Sequence, residues 1–190
     1  MKDVTITIEG LTPLSFSRPV EATKERGQSW DEFEKTIWKR KAHADDNEVA
    51  FIPGNFFFNA LADQAKAENE KIKGKGQQTY SGLFKRGIAA ITDLSLGVKV
   101  DDMKAISLNC DSKGKRGGGN GMVLRTFPIF TKWAGNLTFR IFDDNIPQDV
   151  FERYFSNSGL LQGVGRGRPA MGCAAGNGRY RPTSFKWADV

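Results

Sequence analysis

This 190-residue sequence has two cysteines, one histidine and no apolar run approaching the roughly 20 residues of a membrane span. Two cysteines, Cys110 and Cys173, cannot build a disulfide framework, and neither sits in a CxxC pair. With a single histidine beside them, a zinc-finger type of metal centre is excluded. No secretory apolar core follows Met1. These absences predict a reduced cytoplasmic protein with no membrane span and no structural metal cluster, and no cofactor is expected. The length fits one domain over residues 1–190, able to bury enough apolar surface to fold without staples.

Acidic residues are missing from long parts of the chain. The formal net charge is +6, yet residues 1–70 carry −4 and residues 71–190 carry +10. Residues 71–92, 112–142 and 162–188 contain no acid and hold 16 of the 28 basic side chains. A solvated face normally mixes both signs. Stretches of one sign build a field that gathers phosphates, so the partner expected is a polyanion.

Against these absences stands a regular alternation of strand and helix patterns. Val4, Ile6 and Ile8 alternate with threonine, the pattern of a half-buried strand, and Leu14 to Ser17 resumes it. Residues 18–47 are polar and read as an inserted arm with one short helix, capped by Ser29 and boxed by Glu32. A strand at 49–52 meets a Pro53-Gly54 turn and a helix capped near Asn55, buried through Phe57, Phe58, Leu61 and Ala65. One or two strands follow at 87–100, then strands at 122–133 and 137–142 joined by a hairpin turn at Ala134-Gly135-Asn136. Pro147 opens a second long helix with Val150, Phe151, Tyr154 and Phe155 at core spacing. A glycine-rich run and a last strand at 179–187 close the chain. This order predicts an α+β, ferredoxin-like or RRM-like fold: a split βαβ antiparallel sheet with helices on one face, the inserted arm and basic Gly-rich loops. The other sheet face stays open, and RNA-recognition domains use that face.

The most specific motif is Gly163-Val164-Gly165-Arg166-Gly167-Arg168-Pro169, continued by Gly178-Arg179-Tyr180-Arg181. Glycine lets backbone N–H groups approach a phosphate, and interleaved arginines add bidentate donors. The motif follows a helix rather than a strand and lacks a Gly-Lys-Ser/Thr end, which argues against dinucleotide and P-loop folds. Candidate RNA contacts are Arg166, Arg168, Arg179 and Arg181 in the 159–181 loop region. A second clamp is Lys113, Lys115 and Arg116, and a third is Lys71, Lys73 and Lys75. Tyr80, Phe127, Tyr180 and Trp187 are interleaved with these charges as stacking candidates, although core packing is the stronger expectation for Phe127.

The sequence resembles the RAMP superfamily, the ferredoxin-like RNA-binding proteins of CRISPR systems. The resemblance rests on Ile52-Pro53-Gly54-Asn55-Phe56 after an N-terminal strand and on the C-terminal Gly/Arg-rich loop, about a hundred residues apart in the family order. It implies a backbone subunit that coats a guide-like single-stranded RNA through its phosphates. Its partners would be copies of itself and other CRISPR subunits, with residues 18–47 as an arm or thumb. Some RAMP proteins cleave RNA without metal through a histidine near the first helix, which singles out His43. Asp45 and Asp46 are candidates for a divalent ion beside a scissile phosphate. Two alternatives to that implied role stay open: a metal-independent CRISPR RNA-processing endoribonuclease using His43, and a single-stranded DNA-binding or anti-CRISPR mimic protein.

Overall fold

Strand β1 (Lys2–Gly10) buries Val4, Ile6 and Ile8 completely on one face, and the rest of the fold is assembled around it. A computed structural model describes residues 1–111, 121–172 and 176–190. After β1 come β2 (Leu14–Ser15), α1 (Trp30–Ile37), β3 (His43–Ala44), β4 (Val49–Ile52), α2 (Gly54–Glu68), α3 (Tyr80–Gly87), β5 (Ile88–Ala90) and β6 (Leu94–Lys99). Then follow β7 (Lys104–Asp111), β8 (Met122–Phe130), β9 (Ala134–Ile141), α4 (Gln148–Leu161) and β10 (Tyr180–Asp189).

The central sheet runs β10-β1-β9-β5, with every neighbouring pair antiparallel. The path β1–α2–β5–β9–α4–β10 is the expected split βαβ arrangement. Its core is aromatic: Phe139 meets Phe151 and Phe155 edge-on at 5.8 and 5.7 Å, and Phe57 stacks on Phe155 at 6.4 Å. Each fully buried ring of this kind contributes about 1.5–3 kcal/mol through area removed from water.

Local signals explain how the helices start. Ser29 Oγ accepts from the Glu32 amide while the Glu32 carboxylate accepts from the Ser29 amide, so the capping box closes as expected. Pro53, at the N-cap of α2, has no side-chain acceptor. Asp93, 39 residues beyond Gly54, substitutes by accepting the Gly54 N–H at 2.8 Å.

Two small sheets lie beside the central one, ordered β2-β8-β7 and β3-β4-β6. Here the structure corrects the expected hairpin. β8 and β9 are consecutive but do not pair: β8 joins β7 and β2, whereas β9 joins β1 and β5. Gly135 lies inside β9, opposite Ile8, rather than in a turn. A Cβ there would sit 2.8 Å from Leu94 and 2.9 Å from the Ser95 carbonyl, so this glycine lets β6 press directly onto β9. The elements α3 and β7 are additions to the sequence reading, and of the one or two strands expected over 87–100 there are two, β5 and β6, in different sheets. No helix among the described residues is long and apolar enough to cross a membrane.

Within 18–47, α1 and a short 3₁₀ turn, Trp38–Lys41, pack on β8. Glu34 and Lys41 form an ion pair there with both side chains only 8% exposed. Glu34 also accepts the Thr126 N–H at 3.0 Å, and Lys41 donates to the Thr126 carbonyl at 2.8 Å.

Candidate nucleic-acid interface

The glycine-rich loop is laced to the corner between β1 and β2. Arg166 N–H donates to the Ser15 carbonyl at 2.7 Å, Gly178 N–H to Pro13 at 2.8 Å, and Val164 N–H to Gly178 at 2.9 Å. Gly178 has φ +71°, and a Cβ on it would fall 1.8 Å from the Val164 carbonyl, so no other residue fits. With these amides donated inside the protein, the expected backbone cradle for phosphate is largely spent. Anion contacts at this loop fall to the guanidinium groups.

Arg166 and Arg168 come together with His43 in a cleft of about 690 Å³. One wall is Phe16 to Pro19, another is Phe56 and Asn59 in the first turns of α2, and the third is the loop with Met171. The Arg166 guanidinium lies 3.7 Å from the centroid of the Phe127 ring, with an N–H 3.6 Å from Cys110 Sγ. Arg168 keeps its Nε buried without a hydrogen-bond partner among the described residues. A buried guanidinium N–H in that condition favours an acceptor brought by a ligand.

His43 is half-buried on β3. Its ring centroid lies 5.7 Å from Phe16, 5.8 Å from Phe51 and 5.4 Å from Phe56. Burial pushes its pKa below the ordinary histidine value, and the neighbouring Arg18 pushes the same way against a weaker opposing pull from Asp93. The imidazole is therefore neutral at pH 7 and able to accept a proton or a hydrogen bond. Asp45 Oδ1 accepts from the Asn47 and Val49 amides, closing the turn between β3 and β4, and Asp46 is exposed beside it. Among the described residues no group of three or more His, Cys, Asp or Glu is placed to hold a metal ion.

The other sequence candidates lie elsewhere. Arg179 donates to the Leu160 carbonyl at the end of α4. Arg181 stands opposite Glu9 on the open sheet face and bonds its carboxylate at 3.0 and 2.8 Å. Lys71, Lys73 and Lys75 are exposed in the connection between α2 and α3, beyond the end of α2 remote from the cleft. Lys113, Lys115 and Arg116 lie outside the described residues. Tyr180 is corrected from stacking candidate to core residue: it is wholly buried against Phe57, Phe155 and Trp133, bonds Ser158 through its hydroxyl, and has its pKa raised by burial. Tyr80 and Phe127 are also buried, and Trp187 is half-buried with its indole N–H on Glu152.

The open face of the central sheet is also unlike the expected RNA platform. Its rungs are Asp3–Arg140, Thr5–Thr138, Thr7–Ser184 and Glu9–Arg181. Both arginines are paired, and none of these four rungs carries an aromatic ring. Arg18, Phe56, Asn59 and Met171 line the cleft without having been legible as site residues. Phe56 and Asn59 are signalled only by proximity to the Pro53-Gly54 turn, Met171 by the glycine run, and Arg18 by neither.

No protein-family model matches the chain, and no curated protein sequence matches it. Solved structures resemble it to different degrees. A chain of the Type III-B Cmr-beta structure bound to cognate target RNA aligns over 99% of this chain, with a TM-score of 0.54 and 14% identity. The present chain spans 61% of that one. Cmr6 from Pyrococcus furiosus aligns over 96% of this chain and 98% of its own, at a TM-score of 0.49 and 12% identity. The chain thus shares its fold with that Cmr-beta chain, and its central sheet has the strand order of a ferredoxin-like fold.

Proposed function

We propose that this protein is an RNA-binding subunit of a CRISPR-type ribonucleoprotein, holding a guide-like single-stranded RNA by its phosphates as copies assemble along the strand. The observation that carries this reading is the cleft where Arg166 and Arg168 meet Arg18 and His43 beside the start of α2, with the Arg168 Nε buried and without a partner among the described residues. Arginines that contact phosphates bind most sequences alike and release counterions, so affinity falls steeply with salt. In the test, wild type and the Arg166→Ala/Arg168→Ala double variant are titrated with labelled single-stranded RNA over a series of salt concentrations. The expected result is weaker binding of every sequence and a log–log salt slope flatter by about 0.7 for each phosphate that is no longer neutralised. Unchanged affinity in a folded double variant would overturn the assignment, and a preference for DNA over RNA would redirect it to single-stranded DNA.

One observation favours a second reading, cleavage of the bound strand: a neutral His43 lines the same cleft as the two arginines. A histidine so placed suits metal-independent attack by a ribose 2′-hydroxyl on its own phosphate. Products ending in a 2′,3′-cyclic phosphate, lost in His43→Ala, would establish it. Intact RNA after long incubation would leave binding alone.

A further inference from the structure

Trp30 sits at the mouth of a second groove, next to the cleft that holds Arg166 and Arg168. This groove, about 500 Å³, lies between α1 and β8 and is lined by Arg18, Trp30, Lys41, Leu124, Arg125 and Phe127 among others. Trp30 is 58% exposed, and among the described residues Phe142 is the other aromatic more than half exposed. We propose that Trp30 is a base-stacking platform and that this groove is a second nucleotide subsite, which the strand reaches from the first cleft by passing over Arg18. The inference rests on the nucleic-acid-binding function proposed for the first cleft and deepens it.

Three observations converge. The first is charge. Arg18 and Arg125 form no ion pair among the described residues, and the Lys24 ammonium lies 5.6 Å from the Trp30 ring centroid. Glu34, the acidic residue in the lining, is consumed by Lys41 and the Thr126 amide. The groove therefore offers cations to phosphates and no free carboxylate to repel them. The second is continuity. Ser17, Arg18 and Pro19 line both clefts, and Arg166 of the first rests on the ring of Phe127 in the second. The third is the chemistry of the ring. Every base has a π-face, so an exposed indole beside a basic groove stacks without sequence preference, as a phosphate-held strand requires. A protein partner would fit the exposed ring but has no need of the unpaired arginines.

The test uses single-stranded RNA of about four nucleotides, enough for one cleft, and about twelve, enough for both, the longer also made with abasic sites. Trp30→Ala should bind the long intact strand about tenfold more weakly and the short strand as wild type does. Trp30→Phe should recover most of the loss. The abasic long strand should bind wild type as weakly as it binds Trp30→Ala, because stacking is absent from both. Equal binding of the long intact strand by wild type and Trp30→Ala overturns the platform and leaves the groove to a protein partner, with the first cleft unaffected. Failure of wild type to bind either length overturns the nucleic-acid reading itself, and this subsite with it. The side chain is largely exposed and the Ser29–Glu32 box is independent of it, so the variants should fold.

Discussion

Glu34 and Lys41 together hold both backbone groups of one residue: the carboxylate takes the Thr126 N–H and the ammonium takes the Thr126 carbonyl. The buried pair thus stands where a neighbouring strand would, along the part of β8 that β2 is too short to cover. It also docks α1, since Glu34 lies on that helix and Lys41 in the turn that follows it.

Breaking this pair on one side strands a charge. Lys41→Met leaves the Glu34 carboxylate buried without its cation and should cost about 3–5 kcal/mol in urea unfolding. Replacing both, as Glu34→Leu with Lys41→Met, should cost less than the sum of the two single changes, which a double-mutant cycle reads directly. Additive losses would show that the two charges do not interact.

His43 should make stability depend on pH. Its folded pKa is lowered by burial and by Arg18, so the unfolded chain binds the proton more readily. The contribution is fully present above the ordinary histidine value near 6.5 and is lost as pH falls through it toward the lower folded value. Melting temperature should therefore drop between pH 7 and pH 5 more for wild type than for His43→Gln. Identical drops would remove His43 from the account.

Gly178 carries the loop that presents Arg166 and Arg168. Gly178→Ala combines an unfavourable left-handed φ with a collision against Val164, whereas Gly74→Ala has a similar φ of +77° and open space. The Gly74 change should cost about 1–2 kcal/mol. The Gly178 change should cost clearly more and weaken RNA binding with it. Equal costs in chemical denaturation would mean that the loop relaxes freely.

The central fold was legible because its signals are local and periodic: Val4, Ile6 and Ile8 in alternation, the Ser29–Glu32 box, and Phe151 with Phe155 one turn apart. The β7 strand escapes the sequence reading although it alternates, Ile106, Leu108 and Cys110 against Ser107 and Asn109, and α3 escapes it because it is only eight residues long and ends in glycine. Gly135 misled because glycine serves tight turns and close strand approach equally well, and only the partner, Leu94, tells them apart. The site was half legible for a related reason. Charge spacing finds arginines but does not say which are spent inside the protein, as Arg181 is on Glu9 and Arg179 on Leu160. Exposure of a ring depends on the fold around it, so Tyr180 and Trp30 could not be told apart beforehand.

The missing side chain at Gly135 has a mechanical consequence. His43 belongs to the small sheet β3-β4-β6, whereas the arginine loop hangs from the central sheet just ahead of β10. Where β6 meets β9, backbone and the Leu94 side chain press on bare backbone, leaving no flexible chain to act as a cushion. The sheets that carry the opposing walls of the cleft are thus held close at this contact, and it helps to set the gap between them. Inserting a methyl group there, far from any phosphate, should pry the walls apart and loosen the grip on every strand alike.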